Sequence, residues 1–304
     1  MALNRRGYCL LFCLLFSLPA YAQSDEGKAA FAKHDYKAAL LNWQPRAEQG
    51  DASAQYGLGR LYFFGLGVQP DFEQGVTWFR KAADQNDPYA QRSLGLVYLL
   101  GGDGVAPDSE QAKIWYRKAV DSFTKAAEDG DVMAEYSLGS MYSAGEGLEP
   151  DPAKANFWFY KAKDGFSEAA KQGKASAEYM LGHMYFEGQG GDRDVDQAMI
   201  WFSKAAEEGD LNAQLHLGEI YSYEQYGRRD RDLAIKWLTK GAEQGDPYAE
   251  HSLSVVYAER ARPGDAKMAA YWLRKLIATK ALLAGADSPS ETRDPTNSTS
   301  SSKN

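Results

Sequence analysis

Tryptophan recurs along this chain at a nearly constant interval. The seven tryptophans are separated by 35, 37, 43, 43, 36 and 35 residues, and none falls outside the series. A period in this range is typical of proteins in which one supersecondary unit stacks on copies of itself. The sequence therefore predicts a solenoid, with the tryptophans as its repeating structural core: Trp43, Trp78, Trp115, Trp158, Trp201, Trp237 and Trp272.

The segment before each tryptophan from Trp78 onward has the apolar spacing of a helix. Counting from the alanine that leads each copy (Ala54 in the first), small or apolar residues at offsets 0, 4, 5, 7 and 8 fall on one helical face. A glycine stands at offset 5 in five copies, although glycine costs a helix about 1 kcal/mol against alanine. We therefore expect a neighbouring element to approach closely at these glycines: Gly59, Gly95, Gly139, Gly182 and Gly218.

A second helix, which carries the tryptophan, is predicted in each unit. An aspartate precedes it at the position of an N-cap, where a carboxylate accepts hydrogen bonds from free backbone N–H groups. These aspartates are Asp71, Asp108, Asp151, Asp194, Asp230 and Asp265. Most of these helices are followed by a glycine suited to a left-handed cap. These glycines are Gly50, Gly130, Gly173, Gly209 and Gly245.

Together these features form the pattern A-x-x-x-L-G-x-x-Y-x-x-G-x-G-V-x-x-D-x-x-x-A-x-x-W-[YF]-x-K-A-A-x-x-G, which resembles the Sel-one-like repeat (SLR), a relative of the tetratricopeptide repeat. The resemblance implies an all-α fold, a right-handed superhelix of antiparallel helix pairs that serves as a scaffold for protein–protein contact. We assign a shortened opening unit to residues 23–51 and six repeats to 52–284. The repeats are 52–87, 88–131, 132–174, 175–210, 211–246 and 247–284.

Details within the repeats lead to three further expectations. The tryptophan-to-glycine distance is seven residues longer in the second and third repeats, which adds about two helical turns. Phe123 and Phe166 occupy equivalent places there and are predicted to form paired features of one surface. The lysine that follows each tryptophan after Trp43 is expected to lie over the ring. In the fifth repeat Glu224 and Tyr226 replace the usual glycine turn, so a different loop is expected there.

The first 22 residues have the features of a secretory signal. Arg5 and Arg6 precede an apolar stretch, and Ala20-Tyr21-Ala22 provides a small-x-small cleavage site. The apolar stretch is too short for a stable membrane span. We therefore predict a periplasmic or secreted protein that is cleaved near Ala22, with a partner in the cell envelope or outside the cell.

Charge and composition narrow the class of partner. Removing two arginines with the signal leaves 32 basic and 42 acidic residues, a net charge near −10. Such a chain lacks the basic field that nucleic-acid binding requires, so no nucleic-acid partner is expected. Residues 285–304 are rich in Ser, Thr, Asp and Pro without apolar periodicity, which predicts a disordered tail.

Residues at offsets 2, 6 and 9 of the first helices share a face opposite the predicted core. Aromatic and arginine side chains concentrate there, and these side chains often dominate protein interfaces. The SLR resemblance implies that first helices line the concave face, which favours a binding groove. The alternative is that these side chains pack between repeats. The candidate residues, called the first-helix row below, are Tyr56, Arg60, Phe63, Arg92, Tyr136, Tyr179, His183 and Phe186.

No metal or cofactor is expected. The glycine loops lack the Gly-Lys-Ser/Thr of a phosphate site and are interpreted as turns. The sequence from Asp192 to Asp196 begins like a calcium loop but lacks its glycine and its final glutamate. The four histidines stand at different offsets, so we expect them to lie apart.

Two classes of function remain open at this point. Ser122 and Lys125 match S-x-x-K, the nucleophile motif of penicillin-recognising enzymes, but S-D-N and K-T-G are absent. A β-lactam-binding or hydrolysing protein is therefore the alternative to a non-enzymatic scaffold that binds a protein or peptide. A scaffold for envelope polysaccharide assembly, or a host-interaction factor, would share the binding mechanism and differ only in its partner.

Overall fold

The computed structural model describes residues 25–102 and 104–283, which form fourteen α-helices. Each helix packs against the next one along the chain, which confirms the predicted all-α solenoid. The signal predicted at 1–22 and the tail predicted at 285–304 lie outside the described residues. The helices are α1 (Glu26–Ala32), α2 (Tyr36–Glu48), α3 (Ala52–Phe64), α4 (Phe72–Ala83), α5 (Pro88–Leu100), α6 (Ser109–Glu128), α7 (Val132–Ala144), α8 (Pro152–Lys171), α9 (Ala175–Glu187), α10 (Val195–Glu207), α11 (Leu211–Ser222), α12 (Arg231–Glu243), α13 (Pro247–Arg260) and α14 (Asp265–Leu283).

The helices alternate between two layers. Odd-numbered helices from α3 to α13 are the first helices of the six repeats, and even-numbered helices from α4 to α14 are the second helices. In α3 every residue from Ala54 to Leu61 is buried, so this first helix is covered on all sides in its middle. Second helices carry many exposed apolar residues, such as Ile114, Phe157 and Ile200. The second helices therefore form the outer layer.

Aspartate caps begin almost every helix. Five of the six aspartates predicted before second helices accept a hydrogen bond from the backbone of the first helical turn. Asp265 is different: it lies inside α14, accepts from the Arg262 backbone N–H at 2.8 Å and pairs with Arg260. A second series, which the sequence analysis missed, caps the first helices except α9, which follows Lys174. This series is Asp51, Asp87, Asp131, Asp210 and Asp246.

The tryptophans are less uniform than their spacing suggests. Trp43, Trp237 and Trp272 are buried, but the other four are only half-buried. The four half-buried tryptophans, Trp78, Trp115, Trp158 and Trp201, still pack against buried core clusters, so they contribute to the predicted repeat core from its edge. In those repeats the fully packed residue is the aromatic that follows the tryptophan: Phe79, Tyr116, Phe159 and Phe202.

This following residue occupies the space that the first-helix glycine leaves open. A Cβ on Gly182 would stand 2.7 Å from Cδ1 of Phe202, and one on Gly59 would stand 2.4 Å from Cδ1 of Phe79. The close approach predicted at these glycines is thereby confirmed. Its partner is an aromatic ring at Gly59, Gly95, Gly139 and Gly182, and the Leu238 side chain at Gly218. The predicted lysine contacts are also present, with Nζ 3.9–5.0 Å from the tryptophan ring centroid in all six repeats.

The long second helices have the predicted extra length. Helices α6 and α8 contain 20 residues each, against 13 in α10 and α12. Phe123 and Phe166 were predicted as surface features, but both are fully buried. Phe123 packs edge-on against Tyr89, with ring centroids 4.9 Å apart, and Phe166 packs against Tyr136 at 6.3 Å. The additional turns therefore extend the core.

The two ends of the array meet. His34, in the turn between α1 and α2, places Nδ1 3.8 Å from Oδ2 of Asp246, the cap of α13. An array of stacked units can bring its first and last members together only if it curves. Asp246 begins a first helix, whereas the second helices form the outer layer, so the first helices face the inside of the curve.

The loop between the two helices of the fifth repeat differs from those of the other repeats, as predicted. In the fifth repeat residues Glu224–Tyr226 form a short 3₁₀ turn that ends at Gly227, where φ is +65°. Ordinary repeats instead turn through paired glycines with positive φ, such as Gly145 and Gly147. None of the helices within the described residues is both long and apolar enough to cross a membrane.

Candidate functional site

Most of the first-helix row is buried. Tyr56, Arg60, Tyr136, Tyr179 and Phe186 are buried. Phe63, Arg92 and His183 are half-buried. Both interpretations of the row are therefore partly realised: its rings pack between repeats, and only some of its edges remain accessible. Its role in binding stays a prediction.

At the N-terminal end the row packs onto the opening unit. The Arg60 guanidinium lies 4.0 Å from the ring centroid of Phe31 and 5.7 Å from that of Tyr56. Burial lowers the pKa of Arg60, and the neighbouring tyrosines oppose this shift. Phe63 packs against Phe72 with ring centroids 4.8 Å apart. This end of the row therefore joins the opening unit to the first repeat.

Arg92 occupies the middle of the row and forms an ion pair between repeats. Its Nε and Nη2 donate to the two oxygens of Glu146 at 2.7 and 2.8 Å. This fork geometry fixes the orientation of both groups. Burial raises the pKa of Tyr56 and of Tyr136, and the charge of Arg92 opposes the rise at both tyrosines. Arg92 thus lies between the two aromatic groups of the row and acts on a tyrosine in each.

Toward the C-terminal end the row forms one aromatic cluster across three repeats. Tyr136 faces His183 with ring centroids 6.5 Å apart, and Tyr179 stacks on His216 at 5.8 Å. Phe186 lies 5.7 Å from His216 and 5.5 Å from Tyr226. The structure therefore brings together Tyr136, Tyr179, His183 and Phe186, with His216 and Tyr226 as additional members.

The expectation that all histidines lie apart was wrong for His183 and His216. Their ring centroids are 5.9 Å apart, because offset 6 of one first helix faces offset 3 of the next. Burial lowers the pKa of His183, although Glu187 and Gln189 act against the shift. Burial together with His183 lowers the pKa of His216 to about 3. Both rings are therefore neutral at physiological pH.

Two loop residues, which the repeat pattern did not indicate, complete the site. Glu146 and Gln189 occupy the same position, between the paired glycines of their repeats, and each reaches back to the preceding first helix. Glu146 binds Arg92, whereas Gln189 acts on the pKa values of Tyr136 and His183. The sequence gives one signal for this position: its side chain differs in chemistry from repeat to repeat, while the glycines on either side of it recur.

A cavity of about 480 Å³ lies beside the Arg92–Glu146 pair. Its walls come from the second repeat through Leu99 and Tyr116, and from the glycine loop of the third repeat. Lys113 and Arg117 stand on one side of it and Glu149 on the other. The cavity therefore extends the row at the junction between two repeats.

The other sequence candidates do not gather into a site. Ser122 and Lys125 lie on α6 on either side of the buried Phe123, and Lys125 is exposed. Asp194 caps α10 through the Gln197 backbone, as its N-cap assignment requires. Within residues 25–102 and 104–283, no three histidine, cysteine or acidic side chains are grouped closely enough to hold a metal ion.

Segments of this chain are similar in sequence to parts of known proteins. The HRD3A component of an ERAD-associated E3 ubiquitin-protein ligase from Arabidopsis thaliana is 34% identical over 86 residues, which are 27% of this chain and 12% of that protein. Protein sel-1 homolog 2 from Rattus norvegicus is 34% identical over 77 residues, or 25% of this chain and 11% of that protein. The chain thus matches about a tenth of the length of these relatives.

Solved structures of SLR proteins are also similar. A Sel1 repeat protein from Oxalobacter formigenes shares 29% identity with a TM-score of 0.45, covering 83% of this chain and 98% of that one. A protective antigen of uropathogenic Escherichia coli with an SLR fold shares 29% identity with a TM-score of 0.41, covering 86% of this chain and 64% of that one.

The family model of the Sel1 repeat matches six separate segments of this chain. They are residues 52–87, 88–122, 132–165, 175–210, 211–246 and 247–278. Together these segments make up more than half of the sequence. The chain therefore belongs to the Sel1 repeat family.

Proposed function

We propose that this protein is an exported, non-enzymatic scaffold that binds a protein or an extended peptide on the inner side of its curved array. The observation that carries the proposal is the first-helix row. Its arginine, histidine and aromatic side chains connect neighbouring repeats from the opening unit to the fifth repeat. The accessible edges of arginine, histidine and aromatic side chains suit protein recognition.

Two features of the array support this assignment. The contact between His34 and Asp246 requires curvature, and the row lies on the inner layer of helices. A curved solenoid presents an extended surface along its inside, to which every repeat contributes. In addition, one relative is a named component of a ubiquitin ligase, so it works within a protein assembly.

Accessible apolar side chains along the same face offer points of contact. Leu99, at offset 9 of α5, is 49% exposed, and Val255, at offset 6 of α13, is 38% exposed. On the outer layer, Ile114 of α6 and Ile200 of α10 have similar exposed fractions, 44% and 49%. These two pairs have the same chemistry and lie on opposite layers, so they form a matched comparison.

The test is chemical crosslinking and pull-down from the native cell envelope. We compare the parent with Leu99→Glu/Val255→Glu and with the control Ile114→Glu/Ile200→Glu. If the inner face binds, the first variant loses the specific partner and the control keeps it, while circular dichroism shows the same helical content in both. Loss in the control alone, or retention in both variants, would refute binding on the inner face.

Export has its own support in the basic residues, apolar stretch and Ala20-Tyr21-Ala22 site at the N-terminus. The partner is then a component of the envelope or of the exterior. An inner face of mixed charge within an acidic chain fits a protein surface better than nucleic acid.

A further inference from the structure

Three neighbouring second helices expose a large apolar side chain at the same repeat position. The position directly precedes the tryptophan, and its side chains are 44–56% exposed in these helices. The same position holds Thr77 in the first repeat and Lys236 in the fifth. Exposed apolar residues at this position are therefore confined to the middle of the array. They are Ile114, Phe157 and Ile200, called the outer row below.

A row of lysines runs beside the outer row. Each outer-row residue is followed four residues later by a lysine, which lies one helical turn toward the C-terminus on the same face. The Nζ atoms lie 4.0–5.0 Å from the centroids of the tryptophan rings, so the lysines turn back toward the outer row. These lysines are Lys118, Lys161 and Lys204.

Acidic residues stand on the other side of the outer row. The exposed Glu110 and Asp196 come four residues before its first and last members, one turn toward the N-terminus. Glu110 pairs with Lys113 at 2.8 Å, and Asp196 pairs with Arg228 at 2.6 Å. Exposed ion pairs contribute little stability, so both carboxylates can exchange partners at little cost. The outer row therefore separates an acidic edge from a basic edge.

The two edges decide which partner fits this surface. Apolar side chains in register with a polar rim are typical of an interaction site. An anionic membrane would attract the lysines but would repel Glu110, Asp196 and the acidic residue that follows each lysine by three positions. A surface with opposite charges on the two sides of an apolar row is instead complementary to a second copy of itself.

Complementarity also fixes how two copies would be arranged. A two-fold axis along the outer row places each apolar residue against its own equivalent and makes the facing helices antiparallel. Lys118 then meets Glu110 of the second copy, and Lys204 meets Asp196 of the second copy. An axis parallel to the helices would set Lys118 against Lys204, and like charges repel.

The residues around the outer row fit the antiparallel arrangement as well. Tyr160, three residues after Phe157, is 70% exposed, and Lys154 stands three residues before Phe157. The same axis places Tyr160 against Lys154 of the second copy, where a cation–π contact can form. The outer layer is the convex side of the array, so two arrays placed back to back touch over a few repeats only. The outer row spans three such repeats.

We propose that this protein forms a two-fold dimer through the outer row, with the facing second helices antiparallel. The two inner faces then point away from each other, and each copy keeps its own candidate binding surface. A monomeric variant would still have an intact inner face, so this inference and the proposed function can fail separately.

Analytical ultracentrifugation of the purified protein over a range of concentrations is the first test. The parent should show a monomer–dimer equilibrium. The Ile114→Glu/Ile200→Glu variant places like charges on the dimer axis and should raise the dissociation constant by about a hundredfold or more. Circular dichroism should show the parent's helical content in this variant, since both residues are exposed.

Two charge-reversed variants test the antiparallel arrangement. Lys118→Glu/Lys204→Glu makes the basic edge acidic, and Glu110→Lys/Asp196→Lys makes the acidic edge basic. Each variant alone should be monomeric at concentrations where the parent is a dimer, because like charges then face each other. An equimolar mixture of the two should form a heterodimer, because each reversed edge then faces an edge of opposite charge.

A matched control separates this effect from a change in net charge. Lys81→Glu/Lys240→Glu makes the same reversal at the lysines beside the tryptophans of the first and fifth repeats, outside the outer row. This variant also loses two cation–π contacts, as Lys118→Glu/Lys204→Glu does, but it should dimerise like the parent.

Four results would overturn the inference. A parent that stays monomeric at every concentration would reject the dimer, and a dimer that survives Ile114→Glu/Ile200→Glu would place the interface elsewhere. A mixture of the charge-reversed variants that does not associate would reject the antiparallel arrangement. A monomeric parent that co-sediments with phosphatidylglycerol vesicles, and loses this binding in Ile114→Glu/Ile200→Glu, would assign the outer row to a membrane surface.

Discussion

The packing of aromatic rings on first-helix glycines predicts which residue of each second helix matters most for stability. Phe202 is 0% exposed and lies over Gly182, in contact with Tyr179 and His216. The Phe202→Ala substitution removes a complete phenyl ring from a site where glycine offers no side chain to fill the space. Such truncations cost about 3–5 kcal/mol, and the lost ring contacts favour the upper end.

Trp201, the preceding residue in the same helix, provides the matched control. It is half-buried, and Lys204 Nζ lies 4.0 Å from its ring centroid. The Trp201→Ala substitution should cost about 2 kcal/mol, because only part of the ring leaves water on folding. The cation–π contact adds roughly 0.5–1 kcal/mol to that cost.

The measurement is urea-induced unfolding of both variants, monitored by circular dichroism. The units of a solenoid can unfold separately, but both substitutions lie in one helix and therefore perturb the same unit. At about 2–4 °C per kcal/mol, Phe202→Ala should also melt several degrees below Trp201→Ala. If Trp201→Ala destabilises the protein as much as Phe202→Ala or more, the assignment of the core to the following residue is wrong.

Three further predictions can be checked directly. Gly182→Ala should lower stability in urea despite a helix-propensity gain of about 1 kcal/mol, because the new Cβ would stand 2.7 Å from a carbon of the Phe202 ring. The control Gly241→Ala should be nearly neutral, because the nearest neighbour of its Cβ would be 3.2 Å away. Burial raises the pKa of Asp210 to about 6, above about 3.9 in an unfolded chain, so its ionisation costs stability as the pH rises from 4 to 7. Asp210→Asn should therefore melt above the parent at pH 7 and together with it near pH 4. Fractionation and mass spectrometry should find a processed chain that begins near Gln23, and an unprocessed chain in the cytosol would refute export.

Local signals in the sequence predicted the helices well. An aspartate such as Asp71 or Asp194 caps a helix through its own neighbours, and a turn glycine such as Gly145 needs only its own backbone conformation. The lysine over each tryptophan is also a contact within one helix, three residues apart. Each of these features depends on a few consecutive residues, so it can be predicted from the sequence of a single repeat.

Contacts between helices could not be read from the pattern in the same way. Trp201 and Phe202 are adjacent and both large, and their different burial follows from which of them faces Gly182. His183 and His216 meet because neighbouring first helices are displaced along each other, so that different offsets become partners. The displacement is a property of the stack, and the sequence alone gives no measure of it.

The position between the paired glycines shows how one repeat framework can acquire different uses. In the first repeat this position holds Leu66, which packs into the apolar cluster of the opening unit. In the third it holds Glu146, whose carboxylate is fully engaged by Arg92. In the fourth it holds Gln189, an uncharged amide whose side chain reaches Tyr136 of the preceding repeat. The glycines that flank this position have similar positive φ angles in the three loops, so the side chain decides whether the junction is closed by packing, by an ion pair or by a polar contact.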